Sequence, residues 1–387
     1  MKILVVSSYL PYPLFSGGSV RLYNLLKEVS VNNEITLICE KRAHQTENDI
    51  KELEKFCKKV ITADRRKQWS VSNIFKSIFS KNSFLITGHT LEEIKKRIKE
   101  ELSKNNFDLI HVETFYVMQN LPNVSIPIVL IEHNIEYLVY ERFVDQTKSF
   151  IRPFLRIDVG KIKKEEEEFW KRATKLVAVS DEEKALINRS DVSIVRNGVD
   201  LEKFKFSDDH KSNRVLFIGD FKWIQNQNAI RLILDEIWPK IHLKNKALKL
   251  WIVGKNIPQN LKEKKEESII FDENAPDKTE EIYEKADILL APLFVGGGTS
   301  FKILEAMASG VGVVTTTLGA EGIVNKNSKE LVIANSTDDL VLGVIKLVED
   351  KDFRLDLIKN ARKLIEEKFD WKKIAKELEY VYKEALK

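Results

Sequence analysis

Short apolar runs rich in Ile, Val and Leu alternate with longer stretches of helical periodicity over nearly the whole chain. That alternation is the signature of parallel sheets wrapped by helices. A first series of strands is predicted at 2–8, 34–39, 59–62, 108–112, 127–132, 175–179 and 192–195. A second series starts at 214–219 and continues through 248–253, 268–271, 287–291, 311–315 and 330–333. Between the two series lie Asn197-Gly198-Val199-Asp200 and the polar stretch 207–213, where a turn dipeptide precedes charged residues. Both halves therefore open with the same strand-turn-helix unit. Beyond about residue 336 the pattern is helical to the end, closing with Phe369-Asp370-Trp371 and an amphipathic tail. The charge run 161–168 reads as one solvated helix face.

At 387 residues the chain exceeds one ordinary core, and two domains are expected. With 43% hydrophobic and 32% charged residues it is neither disordered nor a membrane bundle. The net charge of +4 does not announce a nucleic-acid binder. Two cysteines, Cys39 and Cys57, make neither a disulfide framework nor a metal set, a usage that suits a reducing cytoplasm. The apolar stretch at the N-terminus is too short for a signal peptide and reads as a buried first strand. No run approaches the ~18 apolar residues that cross a bilayer.

In open α/β sheets, ligands sit beyond the carboxyl ends of the strands, so the residues just after strands are the ones to inspect. Seven of the fifteen glycines fall between 296 and 322. The densest part reads Gly296-Gly297-Gly298-Thr299-Ser300-Phe301-Lys302-Ile303-Leu304-Glu305 and follows the apolar run at 288–293. A helix opening near Thr299 or Ser300 would present unpaired N–H groups and a positive dipole end to a phosphate. Lys302 sharpens this, because a cation in a first turn opposes the dipole unless an anion lies nearby. The alternative is close helix-to-sheet packing, with Lys302 and Glu305 as an exposed i,i+3 pair.

After the first strand, Gly17, Gly18 and Arg21 either approach a diphosphate or belong to an ordinary proline-bounded loop. His133 ends one predicted strand and is a candidate donor to a substrate hydroxyl. His111 falls inside a strand, where packing usually decides. In the second half Gly219, Asp220, Lys222 and Asn226 follow a strand, Lys222 as a phosphate clamp and Asn226 or Asn228 as a helix cap. Residues 65–84 carry five basic and no acidic side chains, with Val71, Ile74, Phe75, Ile78 and Phe79 on one helical face. Such a segment lies in a lipid interface or packs into the first domain. No G-x-x-x-x-G-K-[S/T] loop and no zinc spacing of histidines is present.

Together these residues resemble glycosyltransferase family 4, and most resemble the branch in which Gly-Gly-Gly-Thr precedes Lys-Ile-Leu-Glu-Ala. The similarity runs over essentially the entire chain. It includes the Gly17-Gly18 loop, Glu132-His133-Asn134, Asn197-Gly198-Val199-Asp200, Gly219 through Asn226, Leu318 to Gly322 and Phe369-Asp370-Trp371. The resemblance implies an α/β GT-B architecture of two Rossmann-like, doubly wound domains whose parallel sheets face a central cleft. It implies an acceptor-binding domain at 1–205, a nucleotide-sugar domain at 206–365 and a helix at 366–387 crossing back to the first. The expected activity is that of a retaining, metal-independent hexosyltransferase. It would take a sugar from a nucleotide-diphosphate sugar, with no cofactor, to a glycan or lipid-linked acceptor in envelope or exopolysaccharide synthesis. The expected place is the cytoplasm, at the inner face of the membrane if residues 65–84 touch lipid.

By position, Glu305 would hold the ribose, Gly298, Thr299, Ser300 and Lys302 the diphosphate, and His133 the transferred sugar. Gly17 and Gly18 would approach the diphosphate, Phe271 and Asn274 would line the base pocket, and Arg21 and His111 would lie on the acceptor side. Two positions depart from the pattern: Gly297 stands where many members carry a glutamate, and Asp220 where many carry an arginine, with Lys222 as the nearby substitute. Both bear on the donor sugar. A non-catalytic nucleotide-sugar scaffold and a nucleotide-sugar epimerase share the architecture. A dinucleotide oxidoreductase does not fit, because neither opening unit carries its glycine fingerprint.

Overall fold

All thirteen apolar runs form strands in the computed structural model, seven in one parallel sheet and six in another. The structure describes residues 1–65, 73, 77, 80–145, 151–210, 212–264, 266–274, 278–295, 298–324 and 328–387. The hydrophobic face of the 65–84 segment, Val71, Ile74, Phe75, Ile78 and Phe79, lies outside the described residues, as do Gly296 and Gly297. Two α/β units result: Met1–Arg196 together with Trp371–Lys387, and Asn197–Asp370.

The first sheet has the order β3-β2-β1-β4-β5-β6-β7, from β1 (Lys2–Ser7), β2 (Glu34–Lys41), β3 (Lys59–Asp64), β4 (Leu109–Glu113), β5 (Ile128–Ile131), β6 (Lys175–Ala178) and β7 (Val192–Ile194). Buried on both faces, its interior strands β1, β2, β4, β5 and β6 read as continuous apolar runs rather than alternations, while the edge strands β3 and β7 are partly exposed. The helix Gly17–Val29 turns Leu22, Leu25, Leu26 and Val29 to the sheet. The last helix, Trp371–Ala385, belongs to this unit and buries Trp371, Ile374, Leu378 and Tyr382.

The second sheet has the order β10-β9-β8-β11-β12-β13, from β8 (Arg214–Ile218), β9 (Lys249–Val253), β10 (Ile269–Asp272), β11 (Ile288–Ala291), β12 (Gly312–Thr315) and β13 (Val332–Ile333). Val215, Phe217, Ile288 and Leu290 feed one core, while Leu216, Leu289 and Ala291 feed the core on the opposite face, as the two-residue period of a strand requires.

Residues 197–205, assigned from sequence to the first domain, lie in the second unit. Their contacts explain it: the Val199 N–H donates to the Phe369 carbonyl at 2.7 Å, and Phe204 stacks edge-on against Tyr283. The run 161–168 is likewise not a purely solvated face. Glu165 and Glu166, on the helix Arg152–Arg172, are buried. Glu166 accepts from the N–H groups of Glu136 and Tyr137 at 2.9 and 3.1 Å, and Glu165 from that of Ser83 at 2.8 Å. Two carboxylates thus satisfy amides at the starts of neighbouring helices, a tertiary use that charge patterning along one segment does not reveal.

Strand order reverses between β1 and β4 in one sheet and between β8 and β11 in the other. The crevice beyond the carboxyl ends at such a switch point is where open sheets receive ligands. Among the described residues, no helix is long and apolar enough to cross a membrane.

Gly310 ends the helix Phe301–Ser309 at φ +81°, where a Cβ would stand 2.0 Å from the Ser207 carbonyl. Gly310→Ala is therefore expected to lower the stability of the second unit by about 1–3 kcal/mol. A urea midpoint equal to that of the unaltered protein would contradict this reading.

Candidate active site

At the second switch point, the helix Phe301–Ser309 follows β11 through Gly298, which sits at φ +77°. Ser300 occupies the cap position without a side-chain hydrogen bond, and no acidic residue lies in the first turn. Thr299 is buried, and its Oγ1 has no partner among the described residues. An uncapped helix start beside an orphaned hydroxyl is a place for an anion.

Lys302 projects from that first turn. Its Nζ donates to Asn226 Oδ1 at 2.8 Å and lies 4.8 Å from the centre of the Phe217 ring. Among the described residues no carboxylate is within ion-pair distance of it. Burial lowers Lys302 from its ordinary 10.5 to about 8, against the attraction of Glu305. Glu305, one turn on, is raised to about 7, first by burial and against a hydrogen bond from Tyr283, whose hydroxyl donates to Oε2 at 2.8 Å. The remaining oxygen of Glu305 has no hydrogen bond among the described residues.

Asn226 is fixed from its other end, with Nδ2 donating to the Asp220 carbonyl at 2.8 Å. Room for it comes from Gly219, where a Cβ would lie 2.6 Å from Asn226 Nδ2. Gly254, after β9 at φ +143°, lets its backbone pass where a Cβ would stand 1.8 Å from the Gly219 carbonyl oxygen. Three strand ends thereby support one lysine.

At the first switch point, the helix Gly17–Val29 begins with Ser16 as cap, its side chain accepting from Ser19 N–H. A Cβ on Gly18 would meet Tyr9 Oη at 3.1 Å and His133 Cε1 at 3.7 Å. The structure thus brings Gly18 and His133 together. Their neighbour is Glu113, at the end of β4 and fully buried. It accepts from His133 Nε2 at 2.5 Å and from His111 Nε2 at 2.8 Å. Burial alone would raise Glu113, but the attraction and hydrogen bonds of His133 and His111 hold its carboxyl well below the usual range.

Several sequence expectations change here. Arg21 and His111, placed on the acceptor side, are buried with 1% and 0% exposure. Arg21 donates to the carbonyls of Val195 and Arg196 at 2.7 Å each, and burial lowers its pKa from the ordinary value. His111 is held between Glu113 and Tyr382. Neither side chain is presented to a ligand. Lys222, expected as a phosphate clamp, pairs instead with Asp220 at 2.7 Å and is half-exposed. Asn226 is not a cap, since Trp223 holds that position of the helix Ile224–Leu232. Phe271 packs against the second core, and Asn274 is exposed just beyond β10. Tyr283, Tyr9 and Glu113 escaped the sequence reading, and Asn226 was read there as a cap rather than as the partner of Lys302. Position after a strand was the available signal for Glu113.

A family model described as Glycosyltransferase Family 4 matches residues 15–203, and one described as Glycosyl transferases group 1 matches residues 212–350. The chain is a family-4-like glycosyltransferase of GT-B fold. It is similar to an uncharacterized 44.6 kDa protein in the cps region of Klebsiella pneumoniae, 26% identical over 394 residues that cover 96% of this chain and 97% of the relative. Its fold resembles that of sucrose-phosphate synthase from Thermosynechococcus elongatus, with a TM-score of 0.71, 14% identity and 99% of each chain covered. It also resembles Anabaena HepE in complex with UDP and glucose, with a TM-score of 0.65, 14% identity, and 98% of this chain and 99% of that chain covered.

The lysine carries a stability consequence with a definite sign. Lys302 has a folded value of about 8 against an ordinary 10.5, so below about pH 8 folding must bury the cation, and the penalty fades as pH rises towards 10.5. Lys302→Met keeps the apolar stem and removes the cation. It is expected to raise the stability of the ligand-free protein at pH 7 by about 1–3 kcal/mol, a figure discounted for partial solvent contact. The gain should shrink by pH 9.5. Denaturant titrations at both pH values check this, and a loss of stability at pH 7 would contradict it.

Proposed function

We propose that the chain is a retaining hexosyltransferase that moves a sugar from a nucleoside-diphosphate sugar to a glycan or lipid-linked acceptor in envelope or exported-glycan synthesis. The observation that carries the donor assignment is Lys302, a partly buried cation at an uncapped helix start whose polar partner is the neutral oxygen of Asn226. A diphosphate supplies the missing negative charge. Thr299 Oγ1 would donate to the same group, and the open oxygen of Glu305 would accept from ribose hydroxyls. Phe271, in β10, and Asn274, just beyond it, would line the base pocket.

In this reading the bond from C1 of the sugar to the β-phosphate oxygen breaks, and a bond from C1 to the acceptor oxygen forms on the same face. The acceptor's proton passes to the departing phosphate oxygen. Lys302 and the helix start stabilise the charge that develops there, so positive charge at the leaving group is supplied by the protein and no metal is invoked. His133, beside Gly18 and with Nε2 engaged by Glu113, would accept from a hydroxyl of the reacting sugar through Nδ1. Anabaena HepE, which shares the fold, is known in complex with UDP and glucose, which makes uridine nucleotides the first to try. A lipid-linked acceptor would suit the cationic, amphipathic sequence at 65–84.

UDP at a hundred times its dissociation constant should stabilise the protein by ~2.7 kcal/mol. With a donor sugar that is turned over, Lys302→Ala should reduce turnover by ~10²-fold, chelators should leave the rate unchanged, and the product should keep the donor's anomeric configuration by NMR. Near-normal turnover in Lys302→Ala would remove the basis of the assignment.

A further inference from the structure

We propose that Glu113 is a positioning residue that fixes the ring of His133 with Nε2 protonated and Nδ1 turned away from it, and that His111 and Tyr382 complete the device. The functional part of this rests on the glycosyltransferase reading above.

The chemistry of the four side chains leaves little freedom. An ionised carboxylate only accepts hydrogen bonds. Glu113 lies at the carboxyl end of β4 with no exposure, one oxygen 2.5 Å from His133 Nε2 and the other 2.8 Å from His111 Nε2. Both imidazoles must therefore donate through Nε2. His111 then offers Nδ1 as an acceptor, and the Tyr382 hydroxyl, 2.5 Å away on the last helix, donates to it. Tyr382 is itself buried. The chain Tyr382, His111, Glu113, His133 thus runs from the C-terminal helix through the sheet to the first switch point. At its end the His133 ring, still partly exposed, has no hydrogen bond on Nδ1 among the described residues.

The surroundings reinforce the orientation. From the loop after β1, the Tyr9 hydroxyl donates to the Gly18 carbonyl at 3.2 Å and lies 3.5 Å from Glu113 Oε1. From the helix Gly17–Val29, the Arg21 guanidinium attracts Glu113, and from the helix Glu136–Asp145, Glu136 faces His133. Among the described residues, the His133 Nε2–H hydrogen bond goes to Glu113.

A carboxamide cannot replace this carboxylate, because it carries one accepting oxygen and one donating nitrogen. Glu113→Gln therefore forces one of the two histidines to give up its bond or change tautomer. Nitrogen-15 NMR of the imidazole rings in the ligand-free protein, at a pH where His133 is neutral, should show its Nε2 protonated and its Nδ1 unprotonated. In Glu113→Gln that tautomer should become mixed. Turnover in Glu113→Gln should fall at least about tenfold with the donor KM within about threefold, and Tyr382→Phe should give a smaller fall of the same kind.

An Nδ1-protonated His133 in the unaltered protein overturns the proposal. So does a Glu113→Gln variant with a mixed tautomer and unchanged turnover. Should Glu113→Gln not fold, the tautomer of the unaltered protein and the turnover of Tyr382→Phe decide. If the unaltered protein transfers no sugar, the glycosyltransferase reading fails, while the NMR result still decides whether Glu113 positions His133.

Discussion

The second unit is organised around one uncompensated cation. Lys302 leaves the first turn of a helix whose dipole opposes it, is partly buried, and finds a neutral amide oxygen rather than a carboxylate. Burial of a lysine on those terms is unfavourable, as its lowering to about 8 expresses. The surrounding structure nevertheless fixes it: Gly219 makes room for Asn226, Gly254 allows the neighbouring backbone to close in, and Tyr283 ties Glu305 and the Lys302 carbonyl at 2.8 and 3.3 Å. Groups held against their own stability are expected where a ligand completes the charge balance.

The first unit solves the opposite problem. Its switch point holds a buried anion, Glu113, with two imidazole donors. There the charge is balanced within the protein, so the network contributes to stability and orients His133 rather than waiting for a ligand. The two switch points share topology and differ in sign. In each, the strand order decides which loops meet, and the side chains decide what can bind.

The fold was legible because the doubly buried interior strands write themselves as apolar runs, and even the partly exposed edge strands β7 and β13 fell within short apolar runs at 192–195 and 330–333. The glycine-rich turn was legible as well, since Gly298, Ser300 and Lys302 are local to one strand-turn-helix. What escaped depends on partners far along the chain. Asn226 looked like a cap because its role is set by Lys302, 76 residues on. Arg21 looked like an anion ligand because nothing nearby announces the carbonyls of Val195 and Arg196 that hold it. Lys222 looked free until Asp220 folded onto it. Glu165 and Glu166 sat in a charged run that gave no sign of burial, since the amides they satisfy belong to other helices. Pattern reports what a residue's own segment needs, whereas long-range polar pairing becomes visible only in three dimensions.

The central claim, that Lys302 is a receptor for a diphosphate, is most directly tested by counting protons. With a folded value of about 8, Lys302 is mostly neutral at pH 8.5, and an anion bound to it must restore the charge. Calorimetric titration of UDP at pH 8.5, in two buffers with different ionisation enthalpies, should therefore show net proton uptake on binding, absent in Lys302→Met. Binding without proton uptake, or uptake that persists in Lys302→Met, would contradict the account.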